Sequence, residues 1–317
     1  MINVKKAAII GCGNVGASIA FNFLEKALFS EIVLIDINMM KAEGEAMDLS
    51  HGLPYAPSPV NIHAGTYDEI KDAQVVIITS GAAQKPGETR LDLINKNVKI
   101  LRSILKEIKR VEMEGILMLV ANPVDVLTHF AVKESGLPPS RVFGSGTVLD
   151  TARLKYLLSQ ALNVDSRNVH AVIIGEHGDS ELAVDSIANI ASVPLEDFFK
   201  MRNIENSSEL LEKINDEVKN SAYEIIERKG STYYGIAMAV GRICGSITNN
   251  EHLMLPISVE LNGEYGLSDV ALSIPSIIGN DGVEKILEIP LSVSEKRKLI
   301  RSAEALKQVI ESVEKEQ

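Results

Sequence analysis

Short, almost wholly apolar runs alternate with segments of helical period through the first half of the chain. Residues 7–10, 32–35, 60–62, 75–78, 116–120 and 142–143 are the apolar runs. Strands covered by helices on both faces have this pattern, because neither face alternates with polar residues. Residues 15–28, 91–109 and 124–134 read as the helices between them. The alternation predicts an α/β fold built on a doubly wound parallel sheet. The second half is mixed. Residues 169–174, 182–190, 254–259 and 270–274 read as strands, and 207–228 as a long polar helix. A terminal helix carries Leu299, Ala303, Leu306, Ile310 and Val313 at spacings of four and three, which makes one buried stripe. Neither repeats nor a low-complexity linker interrupts the chain. A boundary at Gly144-Ser145-Gly146 is expected, giving 1–144 as a nucleotide-binding domain and 145–317 as a mixed α+β substrate domain.

Composition narrows the function classes. The 317 residues are 45% apolar and 24% charged, ordinary for a globular protein with a sizeable core. A net charge of −11 argues against nucleic acid as a partner and requires any anionic substrate to be drawn in by a few local arginines. Cys12 and Cys244 are the only cysteines, too few for a disulfide scaffold and without metal-site spacing. No run approaches the roughly 18 apolar residues of a membrane span. The first residues lead straight into a strand and do not resemble a signal peptide, so a cytoplasmic location is expected.

Chemistry first surfaces at Gly11-Cys12-Gly13-Asn14-Val15-Gly16, between the first predicted strand and the first helix. Gly11 permits the tight turn, Gly13 lets a pyrophosphate approach the backbone, and Gly16 packs helix on strand, as in a Rossmann-type NAD site. Asp36 closes the second strand about twenty residues later, where a carboxylate accepts the ribose hydroxyls of adenosine and repels a 2′-phosphate. The pattern therefore favours NAD over NADP, although Asp36 could also simply end a strand.

Gly175-Glu176-His177-Gly178-Asp179-Ser180-Glu181 places one imidazole between glycines at the end of an apolar run. Histidine exchanges protons near neutral pH, and acidic neighbours tune it. Asp150 and Arg153, three apart on a predicted helix, share one face; alone they read first as an ion pair on a solvated surface. Asn122, before Pro123, is placed either to meet a ligand at the sheet edge or to cap a helix. Residues 84–90 form a Gly/Pro-punctuated loop ending in Arg90, which either starts a helix or is carried over the site by loop closure.

Together the glycine loop and residues 84–93, 121–126, 146–153 and 175–180 resemble the L-lactate dehydrogenase family, close to its bacterial members, in order along the whole chain. The resemblance implies that His177 gives a proton to the pyruvate carbonyl and takes one from L-lactate. By the same likeness Asp150 orients the imidazole, Arg153 grips the substrate carboxylate, Arg90 polarises the carbonyl, and Asn122 hydrogen-bonds the substrate. Cofactor contacts implied in this way fall on Val15, Asp36, Lys41, Tyr67, Gly81, Ala82, Ser103, Val120, Asn122 and Ser145, beside Gly11, Gly13 and Gly16.

Malate dehydrogenases share the fold, so the substrate needs its own argument. A second carboxylate is costly to bury without a partner. In the resembling malate enzymes an arginine stands at the place of Gln84, which here is neutral. Thr232 matches a pocket-wall residue that is smaller in those enzymes, and both point to pyruvate and L-lactate. The resemblance further implies a homotetramer. It also raises fructose 1,6-bisphosphate as an effector at Lys155 and His170, with lysine replacing the arginine found in many bacterial relatives.

Overall fold

The computed structural model describes residues 5–82, 87 and 89–316. Its first part contains β1 (Lys6–Ile10), α1 (Asn14–Lys26), β2 (Glu31–Ile35), α2 (Met39–His51), β3 (Asn61–Ala64) and β4 (Val75–Ile78). There follow α3 (Arg90–Arg110), β5 (Ile116–Leu119), α4 (Val124–Glu134) and β6 (Val142–Gly144). The six strands run parallel in the order β3-β2-β1-β4-β5-β6. Strands β1, β4 and β5 are buried along their whole length, which is why their sequences, Lys6 at the start of β1 apart, are unbroken apolar runs. The order reverses between β1 and β4, so the loops that follow them part and leave a crevice at the carboxyl edge, where open α/β sheets bind ligands.

The second part begins with α5 (Val148–Leu162), then β7 (Val169–His170), β8 (Ile173–Ile174), β9 (Leu182–Ala183), β10 (Asn189–Ile190) and β11 (Val193–Pro194). Helices α6 (Leu195–Met201), α7 (Ser207–Lys229) and α8 (Tyr234–Asn249) precede the meander β12 (Leu253–Asn262), β13 (Ser268–Gly279) and β14 (Gly282–Ile286); α9 (Val293–Lys315) ends the fold. The meander joins the edge strand β6 at Ser258 and Gly144, extending the parallel sheet into one of nine strands. Residues on both sides of the expected boundary thus share one sheet.

Two expected strands are not continuous. Val169–His170 pairs with β10, whereas Ile173–Ile174 pairs with β9, so the run at 169–174 serves two different sheets. The run at 182–190 breaks where Asp185–Ile187 makes a 3-10 turn. Helices α2 and α8 carry no readable apolar stripe, for opposite reasons. Helix α2 buries only Ala42 and Ala46, while α8 buries every residue from Ala237 to Ile247 except Met238 and Arg242. Helix α9 buries the expected stripe, each large aliphatic side chain contributing about 1.5–3 kcal/mol. A capping box between Ser292 and Glu295 fixes its start. No helix among the described residues is long and apolar enough to cross a membrane.

Candidate active site

Strand β1 runs into Gly11, whose φ of +106° and close fit against β4 exclude a side chain: a Cβ would lie 2.7 Å from the Ser80 backbone nitrogen. The Thr79 hydroxyl donates to the Gly11 carbonyl at 2.7 Å and the Ser80 hydroxyl to Ile10 at 2.9 Å, clamping the loops after β1 and β4 together. Gly13 faces open space, with nothing within 4 Å of a Cβ built on it. It also caps α1 without a side-chain hydrogen bond, so the first-turn N–H groups remain free for a phosphate. This cradle fits a dinucleotide.

Asp36 accepts the Cys12 N–H at 2.7 Å on one oxygen and the Asn38 N–H at 2.9 Å on the other. A carboxylate has about four acceptor positions, which leaves two for ribose hydroxyls. Burial, and then the Asp36 charge, push the Cys12 thiol up to about 12, so it is an inert filler in the loop. Lys41 lies in the first turn of α2, its charge within electrostatic reach of Cys12. Tyr67 opens the 3-10 turn Tyr67–Ile70 within the field of Asp36. Val15 is half-buried at the start of α1, and Gly81 and Ala82 follow β4, where the Ala82 N–H donates to Asn97 at 2.8 Å. Val120 and Ser145 directly follow β5 and β6, with the Ser145 N–H donating to the Leu119 carbonyl at 2.8 Å. Ser103 is exposed on α3 and turns its hydroxyl back to Ile100 at 2.6 Å, within its own helix.

The candidate proton-transfer group lies just past the end of β8. His177 Nδ1 is 2.6 Å from Asp150 Oδ2, and Arg153 donates to Asp150 Oδ1 at 2.7 Å. This is no surface ion pair: side-chain exposures are 3% for Asp150, 13% for Arg153 and 24% for His177. The bond at Nδ1 fixes one tautomer and leaves Nε2 to carry the exchangeable proton. Burial alone would weaken the imidazolium. The charge and hydrogen bond of Asp150 outweigh it, with help from Asp125 and Glu181, and lift the His177 pKa to about 9. Asp150 itself resists burial and is held below the usual carboxylate range by His177 and Arg153.

Glu181 approaches Asp150 and His177 closely, donor atoms of all three lying within 4.8 Å of one another. Burial, and then the Asp150 charge, push its carboxyl up to about 8. Among the described residues this is the one His/Cys/Asp/Glu group compact enough for a metal ion. With Nδ1 committed to Asp150 and the Glu181 carboxyl pushed up by burial, its chemistry is that of an acid–base cluster.

Arg90 is the first residue of α3 and reaches the histidine loop, with Nη2 3.1 Å from Glu176 Oε1 and Nη1 3.4 Å from Asp179 Oδ2. It is both a helix-start residue and a cation at the site. The other oxygen of Glu176 accepts the Ser180 hydroxyl, and the Glu176 N–H donates to the Ser302 hydroxyl of α9 at 2.9 Å. Asn122 follows β5, its carbonyl held by Asn97 at 2.8 Å. The helix cap is Pro123, which uses no side chain, so the capping alternative for Asn122 fails. Thr232 is half-buried between α7 and α8, beside Ser231, which accepts from Asn14 of the glycine loop at 2.9 Å. Gln84 lies outside the described residues. Lys155 and His170 line a common cavity of about 340 Å3, whose walls include Thr151 but none of Asp150, His177 or Glu181, and burial lowers the Lys155 pKa.

Sequence reading gave no individual role to Asp125, Glu176, Glu181 or Ser302. A detectable signal existed for one: Asp125 is a lone charge in the otherwise apolar start of α4, where every residue from Val124 to Ala131 is buried.

Residues 5–144 match the family model of the lactate/malate dehydrogenase NAD-binding domain, and residues 147–317 that of the α/β C-terminal domain. The chain belongs to the lactate/malate dehydrogenase family. Within it, the chain is similar to an L-lactate dehydrogenase of Macrococcus caseolyticus, at 50% identity over 96% of both chains. Among solved structures it is similar to a lactate dehydrogenase from a Medee basin deep-sea metagenome library, with a TM-score of 0.95, 46% identity and coverage of 98% and 99%. The minor L-lactate dehydrogenase of Enterococcus mundtii in its ligands-bound form gives a TM-score of 0.95 at 44% identity, with the same coverage.

Proposed function

We propose that this chain catalyses the reversible, NADH-dependent reduction of pyruvate to L-lactate. The observation that carries the reading is the shared Asp150 carboxylate, which braces the proton donor His177 at 2.6 Å and the anion receptor Arg153 at 2.7 Å. One buried group thus sets the distance between the site of proton transfer and the site that binds the substrate carboxylate. The dinucleotide, when bound at the Gly11–Gly16 loop, supplies the hydride. Arg153 takes the pyruvate carboxylate through its planar guanidinium. His177 donates the proton to the carbonyl oxygen as that oxygen gains charge, and Asp150 stabilises the imidazolium beforehand and holds the ring afterwards. Arg90 leaves Glu176 and Asp179 to polarise the same carbonyl, and Asn122 adds a hydrogen bond to the substrate. In the reverse direction neutral His177 takes the proton from the hydroxyl of L-lactate.

The preference for pyruvate over oxaloacetate rests on Gln84, which offers no counter-charge to a second carboxylate, and on Thr232. Initial rates of NADH oxidation with pyruvate, with oxaloacetate and with no keto acid test the proposal. Pyruvate is expected to dominate; equal or faster turnover of oxaloacetate overturns it.

The same reading includes a cytoplasmic homotetramer with fructose 1,6-bisphosphate as effector. The two buried free cysteines suit a reducing compartment. Exposed Phe21, Met40, Met47 and Met238 on α1, α2 and α8 suit burial against further copies. The cavity that holds both Lys155 and His170 supports an anionic effector there. Light scattering tests the assembly. Pyruvate saturation curves with and without the sugar bisphosphate test the effector, and an unchanged half-saturation removes it.

A further inference from the structure

Asp125 is the second residue of α4, three positions after Asn122, and is only 2% exposed. One carboxylate oxygen accepts the backbone N–H of His177 at 2.7 Å and the other accepts the Ser258 hydroxyl at 2.6 Å. Ser258 lies on β12 at the register pair that joins the meander to β6. A single carboxylate therefore ties together the helix that follows Asn122, the loop that carries the imidazole and the seam of the nine-stranded sheet.

Structure alone does not account for an acid at this position. Burial pushes the Asp125 carboxyl up to about 6 although both oxygens are hydrogen-bonded, so keeping it ionised here is costly. An apolar side chain would fill the same space without that cost. What an apolar residue cannot supply is an acceptor for the His177 N–H and a negative charge near the imidazolium. The charged groups around Asp125 are His177 and Glu176; those around His177 are Asp150, Asp125 and Glu181. Glu176 is turned to Arg90 and the Glu181 carboxyl is pushed up to about 8, so Asp150 and then Asp125 are the carboxylates that chiefly support the imidazolium.

We propose that Asp125 is a positioning residue for proton transfer, fixing the His177 backbone relative to Asn122 while its charge stabilises the imidazolium. The proposal rests on the lactate dehydrogenase reading for its substrate, but imidazole titration and NADH affinity measure it without pyruvate. Asp125→Asn keeps an acceptor for the His177 N–H, since Ser258 can turn to accept from the amide, and removes only the charge. Asp125→Ala removes both, and Ser258→Ala removes the outer support.

In Asp125→Asn the His177 titration, followed by NMR with His177→Asn for assignment, is expected to fall by about one pH unit. The alkaline limb of kcat/KM for pyruvate should move with it. In Asp125→Ala kcat is expected to fall about 10- to 100-fold, with NADH affinity unchanged, because the ring shifts against its substrate. Ser258→Ala should show a smaller fall of the same kind, and it carries the positioning half if Asp125→Ala does not fold. An unchanged titration and unchanged kcat/KM in Asp125→Asn overturn the proposal. So does a loss of NADH binding that parallels the loss of kcat, which would make Asp125 a support of the nucleotide domain. Absent pyruvate turnover in the unmodified protein, with the titration shift intact, would instead fell the substrate reading and leave the positioning role standing.

Discussion

Asp150 and Arg153 are joined across one helical turn by a 2.7 Å ion pair, with the carboxylate oxygen not used by His177. Arg153 is therefore aimed by the same group that aims His177. Replacing it by lysine keeps a charge but loses the planar fork. Arg153→Lys is expected to raise KM for pyruvate about 10- to 100-fold, the loss of one charged hydrogen bond of about 1.5–3 kcal/mol. NADH affinity by fluorescence titration should be unaltered, and an unchanged KM would disconnect Arg153 from the substrate.

His177→Asn removes the one imidazole of the cluster, whose Nε2 is left free by the Nδ1 bond to Asp150. The kcat for pyruvate should fall about 10²- to 10⁴-fold while NADH still binds. Steady-state rates beside a binding titration decide it; retained turnover would move the proton donor elsewhere.

The pH dependence follows from the raised His177 pKa of about 9. Pyruvate requires the imidazolium, present below that value and lost as pH rises through it. L-Lactate requires the neutral ring, which appears over the same interval. The kcat/KM for pyruvate should thus be level at neutral pH and decline towards pH 9, while that for L-lactate climbs. Profiles of the same shape in both directions would refute the assignment.

Asp150→Asn deletes the main anion supporting that proton. With burial then dominant, the alkaline limb for pyruvate should move down by more than about one pH unit. Arg153 loses its brace as well, so KM should rise along with the shift. A limb that stays in place would mean that Asp150 acts only through geometry.

Gln84→Arg supplies the counter-charge a second carboxylate needs. The ratio of kcat/KM values for oxaloacetate and pyruvate should rise, by about tenfold or more for a pairing worth 1.4 kcal/mol. An unaltered ratio would show that the preference is set by shape at Thr232 or elsewhere in the pocket.

The parallel sheet was legible because β1, β4 and β5 are covered on both faces, and burial on both faces writes an unmistakable apolar run. Helix α8 escaped notice because Gly241, Cys244 and Gly245 are buried with the rest of its length, which erases any polar face. The pairing of Asp150 with Arg153 was legible through the spacing of three on α5, whereas their partnership with His177 came only through the family resemblance. The support around them was not legible. Asp125 meets His177 across 52 positions and Ser302 meets Glu176 across 126, and no local pattern encodes contacts between such distant segments.

Ser302 gives the order of synthesis a functional meaning. It is completely buried on the last helix, yet its hydroxyl receives the amide beside the acid–base histidine. During translation the nucleotide loops can assemble before α9 leaves the ribosome, whereas the histidine loop, held by Asp125 and Asp150, gains its Ser302 anchor only when that helix arrives. A nascent chain can therefore hold coenzyme before its histidine loop is fully anchored.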